Sequence, residues 1–250
     1  MLDALTHTTS PSPGSVPIGP QHGAAGSSNS SAGNTQPPAR QQTAHGQHGQ
    51  PQEGQNYSPA GSAKVIWIMG HSYIYWAHIR TKRKTSSEQM GIPHSKASLF
   101  WLGKRGMRWV QLMPCILQYA RQLPQPDIII CHLGGNDLVA VKNIDLIITI
   151  KKDLTAIKAI WPAVVLVWSH IIPRLVWRDA RSHKSIEKSR RKLNKEVGTW
   201  LRAIGGYVIK HDDISLSCSG MYRPDGVHLS DVGVDIFILA LQTATAALVN

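Results

Sequence analysis

The stretch Lys64-Val-Ile-Trp-Ile-Met-Gly-His-Ser-Tyr73 decides the fold. Its continuous apolar run, Val65 to Met69, predicts a buried strand of the kind found in parallel sheets. Gly70, His71 and Ser72 follow at the carboxyl end of that strand, where ligands bind in open α/β sheets. Taken alone, the tripeptide is more typical of an ordinary strand-to-helix turn, because Gly and Ser are common turn residues. Residues much further along the chain decide between these two interpretations.

Residues 1–62 differ in composition from the rest of the 250-residue chain. They are rich in Gly, Ser, Pro, Gln, Asn and His and have almost no large apolar side chains. Such a segment cannot bury enough apolar surface to offset the entropy lost on ordering. We therefore predict a disordered low-complexity tail over 1–62 and a single folded domain over 63–250.

The positive charge is concentrated in the predicted domain. The chain has 27 Lys and Arg against 15 Asp and Glu, and only one Arg and two acids precede residue 63. The remaining 26 basic and 13 acidic residues give the domain a net charge of +13. This favours polyanionic partners such as nucleic acid, although a solvated cationic surface without a partner has the same composition.

Cysteine content and hydropathy bear on the compartment. Three cysteines (Cys115, Cys131 and Cys218) form neither an even framework nor a metal-binding spacing, which indicates a reducing compartment. We see no signal peptide and expect an intracellular, cytoplasmic protein. The apolar run from Val232 to Val249 is interrupted by polar residues, so we predict an interior helix there and no transmembrane segment.

From Lys64 onward, strand and helix patterns alternate. The predicted strands cover residues 65–69, 97–102, 127–133, 163–169 and 207–210. The predicted helices cover residues 72–79, 109–121, 143–160, 182–204 and 231–248, with Pro114 favouring a later start or a kink in the second. This alternation predicts a three-layer α/β/α sandwich around a five-stranded parallel sheet.

Four connections at the carboxyl side of this sheet carry reactive or turn-forming residues. Ser72 follows the first strand, the glycines of Gly103-Lys-Arg-Gly106 follow the second, and Gly134-Gly-Asn136-Asp137 follows the third. Asp225 and His228 lie in the last connection. Together they supply the parts of a serine hydrolase, because a serine hydroxyl needs an adjacent base and an acid that orients it. The N–H of Ser72, an N–H of the second loop and the Asn136 amide would supply oxyanion donors.

These residues resemble the blocks of the SGNH, or GDSL-like, hydrolase superfamily. Gly70-His-Ser72 is similar to the nucleophile block, Gly134-Gly-Asn-Asp137 to the third block, and Asp225-Gly-Val-His228 to the fifth. Gly106 matches the second-block glycine better than Gly103. The resemblance covers about residues 64–249.

The resemblance implies a flavodoxin-like sandwich that hydrolyses acyl or acetyl esters without a metal or other cofactor. The catalytic residues would be Ser72, His228 and Asp225, with Ser72, Gly106 and Asn136 forming the oxyanion hole. The substrate would be a small-molecule, glycan or lipid ester. His71 departs from the family pattern, which usually has Asp before the serine, and this histidine would be able to compete for the Ser72 proton.

Three further predictions concern residues outside these blocks. His132 and His170 lie at strand ends and are expected to be locally satisfied structural histidines, with an approach to the site as the alternative. Arg174 and Arg178 follow the fourth strand and are expected to lie in a solvated loop, with contact to an anionic substrate as the alternative. Trp101, Trp109, Trp168 and Trp177 are expected in core or rim packing, with an acyl pocket as the alternative.

An alternative function remains open. The basic helix at 183–195 would be able to contact phosphates, so the domain is alternatively a catalytically weak module that binds nucleic acid or a protein. The low-complexity leader and basic domain also resemble SGNH-type domains of vertebrate retroelement-like reading frames. The oligomeric state is not predicted.

Overall fold

A five-stranded, all-parallel sheet forms the centre of the domain, in the order β2-β1-β3-β4-β5. The structure, a computed structural model, describes residues 62–218 and 220–250. The predicted tail at 1–62 therefore lies outside the described residues except for its last position. The strands are β1 (Lys64–Gly70), β2 (Ala97–Gly103), β3 (Ile128–His132), β4 (Val165–Ser169) and β5 (Tyr207–Ile209).

Five α-helices connect or follow these strands. They are α1 (Ser72–Thr81), α2 (Leu112–Tyr119), α3 (Asn143–Ile160), α4 (His183–Ala203) and α5 (Asp231–Val249). The predicted five-stranded α/β architecture is thus confirmed, and its strand order is the flavodoxin-like one. In that order the crossing point lies between β1 and β3, the position where such sheets bind ligands.

Two apolar cores lie on the two faces of the sheet, because alternate side chains of a strand point in opposite directions. Trp67 and Met69 of β1 belong to one core, together with buried residues of α2, α3 and α4. Ile66 and Ile68 belong to the other, together with buried residues of α1 and α5. The domain therefore has the three layers that the alternation predicts.

The second predicted helix is shorter than expected. A 3₁₀ turn covers Trp109–Gln111, and α2 then begins at Leu112 and ends at Tyr119. Pro114 falls in the first turn of α2, where a backbone N–H has no partner within the helix and its loss costs nothing. The later start allowed for by Pro114 is correct, and the predicted end at residue 121 is wrong by two residues.

Helix α5 is the one described helix long and apolar enough to cross a membrane by length and composition. In this fold one of its faces is packed into the domain. Phe237, Ile238 and Leu241 are buried in the core that also holds Ile74 and Ala77 of α1. This is the interior packing that the sequence predicts for the C-terminal apolar run.

The β1–β2 pairing brings Gly103 against the backbone of α1, and this contact yields a stability prediction. A Cβ at Gly103 would lie 2.4 Å from the Tyr75 nitrogen, so Gly103→Ala must displace α1 or the end of β2. We expect a loss of about 1–3 kcal/mol in the free energy of unfolding, measured by denaturant titration.

Gly198→Ala is the matched control. A Cβ at Gly198 would meet only side-chain carbons of Val208 and a His170 ring nitrogen, the nearest at 3.3 Å. This glycine also lies inside α4, where alanine is the better helix former by about 1 kcal/mol. We expect Gly198→Ala to change stability by less than Gly103→Ala. Equal effects of the two variants would contradict the packing argument.

Candidate functional site

Ser72 is the first residue of α1, immediately after β1. Its backbone N–H has no partner within the helix, because the first turn of a helix leaves its N–H groups free. The helix dipole adds partial positive charge at the same point. The side chain is largely shielded from solvent, with 7% of the residue exposed. A hydroxyl therefore sits where backbone donors are available and bulk water is scarce.

His71 caps α1, and this explains how the chain tolerates a histidine before the serine. Its Nδ1 accepts the N–H of Tyr73 at 3.4 Å, the contact that a capping side chain makes. The imidazole is fully buried. Burial lowers its pKa well below the usual value, and the electrostatic influence of Arg174 and of the neighbouring His228 lowers it further. Within the described chain, no hydrogen bond links His71 to the Ser72 hydroxyl, so the predicted competition for its proton is not seen.

Asp225 and His228 form a hydrogen-bonded pair in the loop before α5. Asp225 Oδ2 accepts from His228 Nδ1 at 2.7 Å, and Oδ1 accepts the backbone N–H groups of Val227 and His228, each at 2.9 Å. Burial alone would raise the pKa of Asp225, but the hydrogen bonds from His228 and Val227 outweigh it and hold the pKa at about 2. The carboxylate therefore stays ionised and accepts a hydrogen bond from Nδ1 of His228. The other ring nitrogen, Nε2, is then available to accept or donate a proton.

The loops after β2 and β3 are joined by two polar side chains. Asn136 donates one amide hydrogen to the Met107 carbonyl at 3.0 Å, and both carboxylate oxygens of Asp137 accept the Trp109 N–H, at 3.2 and 3.0 Å. Burial raises the pKa of Asp137 to about 6, even though the Trp109 hydrogen bond and Arg108 lower it. Gly106 lies in the loop held this way and has φ +71°, a conformation that favours glycine.

One cleft of about 420 Å³ brings these loops together. Ser72, Gly106, Asn136 and His228 all line it, and Asp225 lies behind His228. No hydrogen bond joins the Ser72 hydroxyl to the His228 ring in the part of the chain that the structure describes. Such bonds are often long without substrate, so their absence here does not argue against the pair. Gly103 does not line the cleft, because it packs against α1.

The cleft also contains residues outside the four motif blocks. Arg174 is buried, with 8% of the residue exposed, and lines the cleft, so its predicted place in a solvated loop is wrong. Trp177 and Trp76 also line the cleft, whereas Trp109 and Trp168 are in the core as predicted. The sequence feature that could have placed Arg174 in the cleft is its position shortly after β4, at the same edge of the sheet as Ser72.

Histidines fill the space beneath the site. His132 is fully buried and its Nδ1 lies 3.0 Å from the Ser169 hydroxyl, which lies 2.7 Å from Nε2 of His211. One ring nitrogen of His132 is thus satisfied locally as predicted, whereas its Nε2 is buried without a hydrogen-bond partner among the described residues. His170 does not line the cleft, and burial, with help from Lys210 and Arg202, lowers its pKa to about 4.

Several solved structures of hydrolases are similar to this fold. A GDSL-like lipase from Bacteroides thetaiotaomicron superposes with a TM-score of 0.60 at 17% identity, over 74% of this chain and 89% of the lipase. A member of the lipolytic G-D-S-L family from Veillonella parvula gives 0.54 at 14% identity, over 71% and 96%. A family 3 carbohydrate esterase from Clostridium thermocellum gives 0.53 at 18% identity, over 76% and 100%. No protein-family profile and no curated protein matches the sequence significantly.

The chain therefore has an SGNH/GDSL hydrolase-like fold, as the sequence motifs imply. The similarity to retroelement-encoded domains has no support in these comparisons and stays an expectation. Nucleic-acid binding by the basic helix also stays a prediction. Several basic side chains of α4 are exposed, but no α4 residue lines the cleft.

The buried histidines predict a loss of stability in acid. Burial, with His170 nearby, lowers the pKa of His211 to about 3 from an ordinary value of 6.5. At a pH below 6.5, His211 binds a proton in the unfolded chain but not in the native chain. The free energy of unfolding therefore falls as the pH falls. One such histidine contributes about 1.4 kcal/mol per pH unit.

Denaturant titrations at several pH values between about 7 and 5 measure this slope. We expect His211→Gln to flatten it by up to about 1.4 kcal/mol per pH unit, whatever its effect on absolute stability. The exposed His94, replaced by Gln, serves as the control and should leave the slope as in the unmodified protein. An unchanged slope in His211→Gln would show that this imidazole titrates normally in the fold.

Proposed function

We propose that this protein is a serine hydrolase that cleaves carboxylic esters. The observation that carries the proposal is the convergence of Ser72, the Asp225–His228 pair, Gly106 and Asn136 on one cleft of the SGNH-like fold. The esterases and lipase with the same fold support hydrolysis of esters in general.

Ser72 acts as the nucleophile and His228 as its base. Nε2 of His228 takes the hydroxyl proton as Ser72 Oγ forms a bond to the ester carbonyl carbon. Asp225 supports this step by accepting from Nδ1, which fixes the tautomer and stabilises the imidazolium that forms. The intermediate then collapses, and the leaving alkoxide takes the proton back from His228 Nε2.

The oxyanion of the intermediate needs preorganised donors. The Ser72 N–H is free at the start of α1, and the Gly106 N–H makes no hydrogen bond in the described residues. Asn136 uses one amide hydrogen on Met107, so its second hydrogen is free to donate. In the second half of the reaction His228 Nε2 takes a proton from a water whose oxygen bonds to the acyl carbon. The bond between that carbon and Ser72 Oγ then breaks, and Oγ takes the proton back from His228 as the acid leaves.

The substrate follows from the size and lining of the cleft. A volume of about 420 Å³ fits a small ester or one end of a larger one. Trp76 contributes apolar surface to the lining, whereas Trp177 is almost fully buried behind it. We therefore propose a short acyl or acetyl ester of a small molecule, a glycan or a lipid.

Replacing the nucleophile tests the reaction directly. The full chain should hydrolyse a short-chain p-nitrophenyl ester and react covalently with a fluorophosphonate probe at Ser72. Ser72→Ala should abolish both, because no other group provides the attacking oxygen. Ser95→Ala changes an exposed serine and should retain both. Equal hydrolysis by Ser72→Ala and the unmodified protein would refute the proposal.

Removing the charge behind His228 tests the second half of the triad. Asp225→Asn should lower kcat by about three to four orders of magnitude, because the amide no longer fixes the tautomer of His228. The exposed Asp213, replaced by Asn, is the control for loss of one negative charge. Steady-state hydrolysis and the thermal stability of both variants would be compared. If kcat of Asp225→Asn stays within a few-fold of the control, Asp225 has no such role.

A further inference from the structure

Arg174 is a buried cationic side chain in the lining of the cleft. It follows β4 by a short loop, and its guanidinium is enclosed by aromatic rings, 5.6 Å from the ring centre of Tyr73 and 4.9 Å from that of Trp177. One end donates from Nη2 to the Oδ1 of Asn136 at 3.1 Å. The guanidinium therefore sits directly beside the group proposed to bind the oxyanion.

This buried cation has no anionic partner in the part of the chain that the structure describes. Arg174 forms no ion pair among the described residues, and its Nε is buried without a hydrogen-bond acceptor. Burying a charge without a counter-charge is costly, and buried charges in proteins are paired as a rule. Because Arg174 lines the open cleft, a ligand can reach it there.

The rest of the cleft is also cationic. Its lining contains five arginines and a single acid, Asp179. Among the arginines only Arg178 has a carboxylate partner in the described chain, Asp225 at 3.4 Å. The five are Arg105, Arg108, Arg174, Arg178 and Arg223.

Helix α1 orients two of the rim arginines. Arg105 lies over the ring of Tyr75 at 5.7 Å, and Arg223 lies over the ring of Trp76 at 4.5 Å. The aromatic residues that follow Ser72 thus hold guanidinium groups around the nucleophile. A guanidinium stacked on a ring keeps its edge free to donate paired hydrogen bonds to an oxyanion.

The loop that carries Arg174 is fixed to the loop that carries His228. The Tyr222 hydroxyl donates to the Pro173 carbonyl at 2.8 Å, and the Val176 N–H donates to the Gly226 carbonyl at 2.9 Å. A Cβ at Gly135 would lie 3.0 Å from Nη2 of Arg174, so this glycine makes room for the guanidinium. The cation is therefore held in place before any ligand arrives.

We propose that the ester substrate carries an anionic group, a phosphate or a carboxylate, which Arg174 binds in the cleft beside Ser72. The proposal rests on the ester hydrolysis proposed above and names the substrate class of that same site. The anion supplies the counter-charge that no described residue provides for Arg174, and the rim arginines attract it to the cleft. Binding of the anion also sets the ester carbonyl relative to Ser72, because Arg174 contacts Asn136.

A series of aryl acetates that differ in charge tests this selectivity. Phenyl acetate is neutral, 3-carboxyphenyl acetate and 3-acetoxyphenyl phosphate are anionic, and 3-(trimethylammonio)phenyl acetate is cationic. Each kcat/KM is divided by the rate constant for alkaline hydrolysis of the same ester, which removes differences in leaving-group reactivity. We expect the full chain to prefer the anionic esters over the neutral one by about tenfold or more, and to disfavour the cationic ester.

Replacement of Arg174 assigns the preference to this side chain. Arg174→Gln should lower the ratio of anionic to neutral kcat/KM by about 10- to 100-fold, as expected for a charged hydrogen bond. Loss of the Asn136 contact would lower the rates for all esters together, so the ratio isolates the effect of charge. Arg181→Gln is the control, because Arg181 is exposed, follows the same strand and does not line the cleft. Its ratio should equal that of the unmodified protein.

The outcomes separate this proposal from the proposed function. A chain that hydrolyses the neutral ester as well as the anionic ones has the proposed function and refutes the anion site. If no ester is hydrolysed, calorimetric titration of the full chain with inorganic phosphate decides. Saturable binding that Arg174→Gln abolishes and Arg181→Gln retains supports the anion site, and absence of binding refutes it.

Two arms refine the test. The carboxylate and phosphate esters show which anion the cleft prefers, and either preference supports the proposal. If Arg174→Gln does not fold, as judged by circular dichroism, Arg223→Gln takes its place, because Arg223 is at the rim and should reduce the preference in the same direction. An unchanged preference in Arg223→Gln would then overturn the proposal.

Discussion

The parallel register of β1 with its two neighbours is the constraint on which the site depends. Gly70, the last residue of β1, pairs with Gly103 on one side and with His132 on the other, so three strands end at the same level. A Cβ at Gly70 would lie 2.2 Å from the His132 carbonyl oxygen, and glycine permits this close approach. Because the three strands end level, the loops carrying Ser72, Gly106 and Asn136 begin side by side.

Hydrogen bonds between the loops then fix the positions of the loops that the strand register places side by side. Asn136 and Asp137 hold the loop after β2, and Tyr222 holds the loop after β4 to the loop before α5. Burial of Asp137, which raises its pKa to about 6, is a cost that this arrangement tolerates. Arg174 belongs both to the proposed oxyanion hole, through its contact with Asn136, and to the proposed anion site, because it lines the same cleft. Selectivity for an anion and placement of the carbonyl would thus depend on one side chain.

The sequence predicted the architecture well and parts of the site less well. Continuous apolar strands and striped helices gave the bounds of α3 to the residue, and missed the early end of α2 by two residues. The capping role of His71 was not predicted, because it depends on the side-chain angle that turns Nδ1 toward the Tyr73 N–H. Arg174 was misplaced because a charged loop residue is ordinarily solvated, and only its packing on Tyr73 and Trp177 makes it buried.

By itself, the sequence determined the features that depend only on residues close together along the chain. The alternation of strands and helices is of this kind, and so is the Asp225–His228 pair, whose three-residue separation lets one turn join carboxylate and imidazole. The tertiary structure decided which distant groups share the cleft, above all Ser72 with His228 and both with Arg174. The physical reason is that local hydrogen bonds and periodicity act over a few residues. The meeting of separate loops depends instead on strand order, register and packing across the whole sheet.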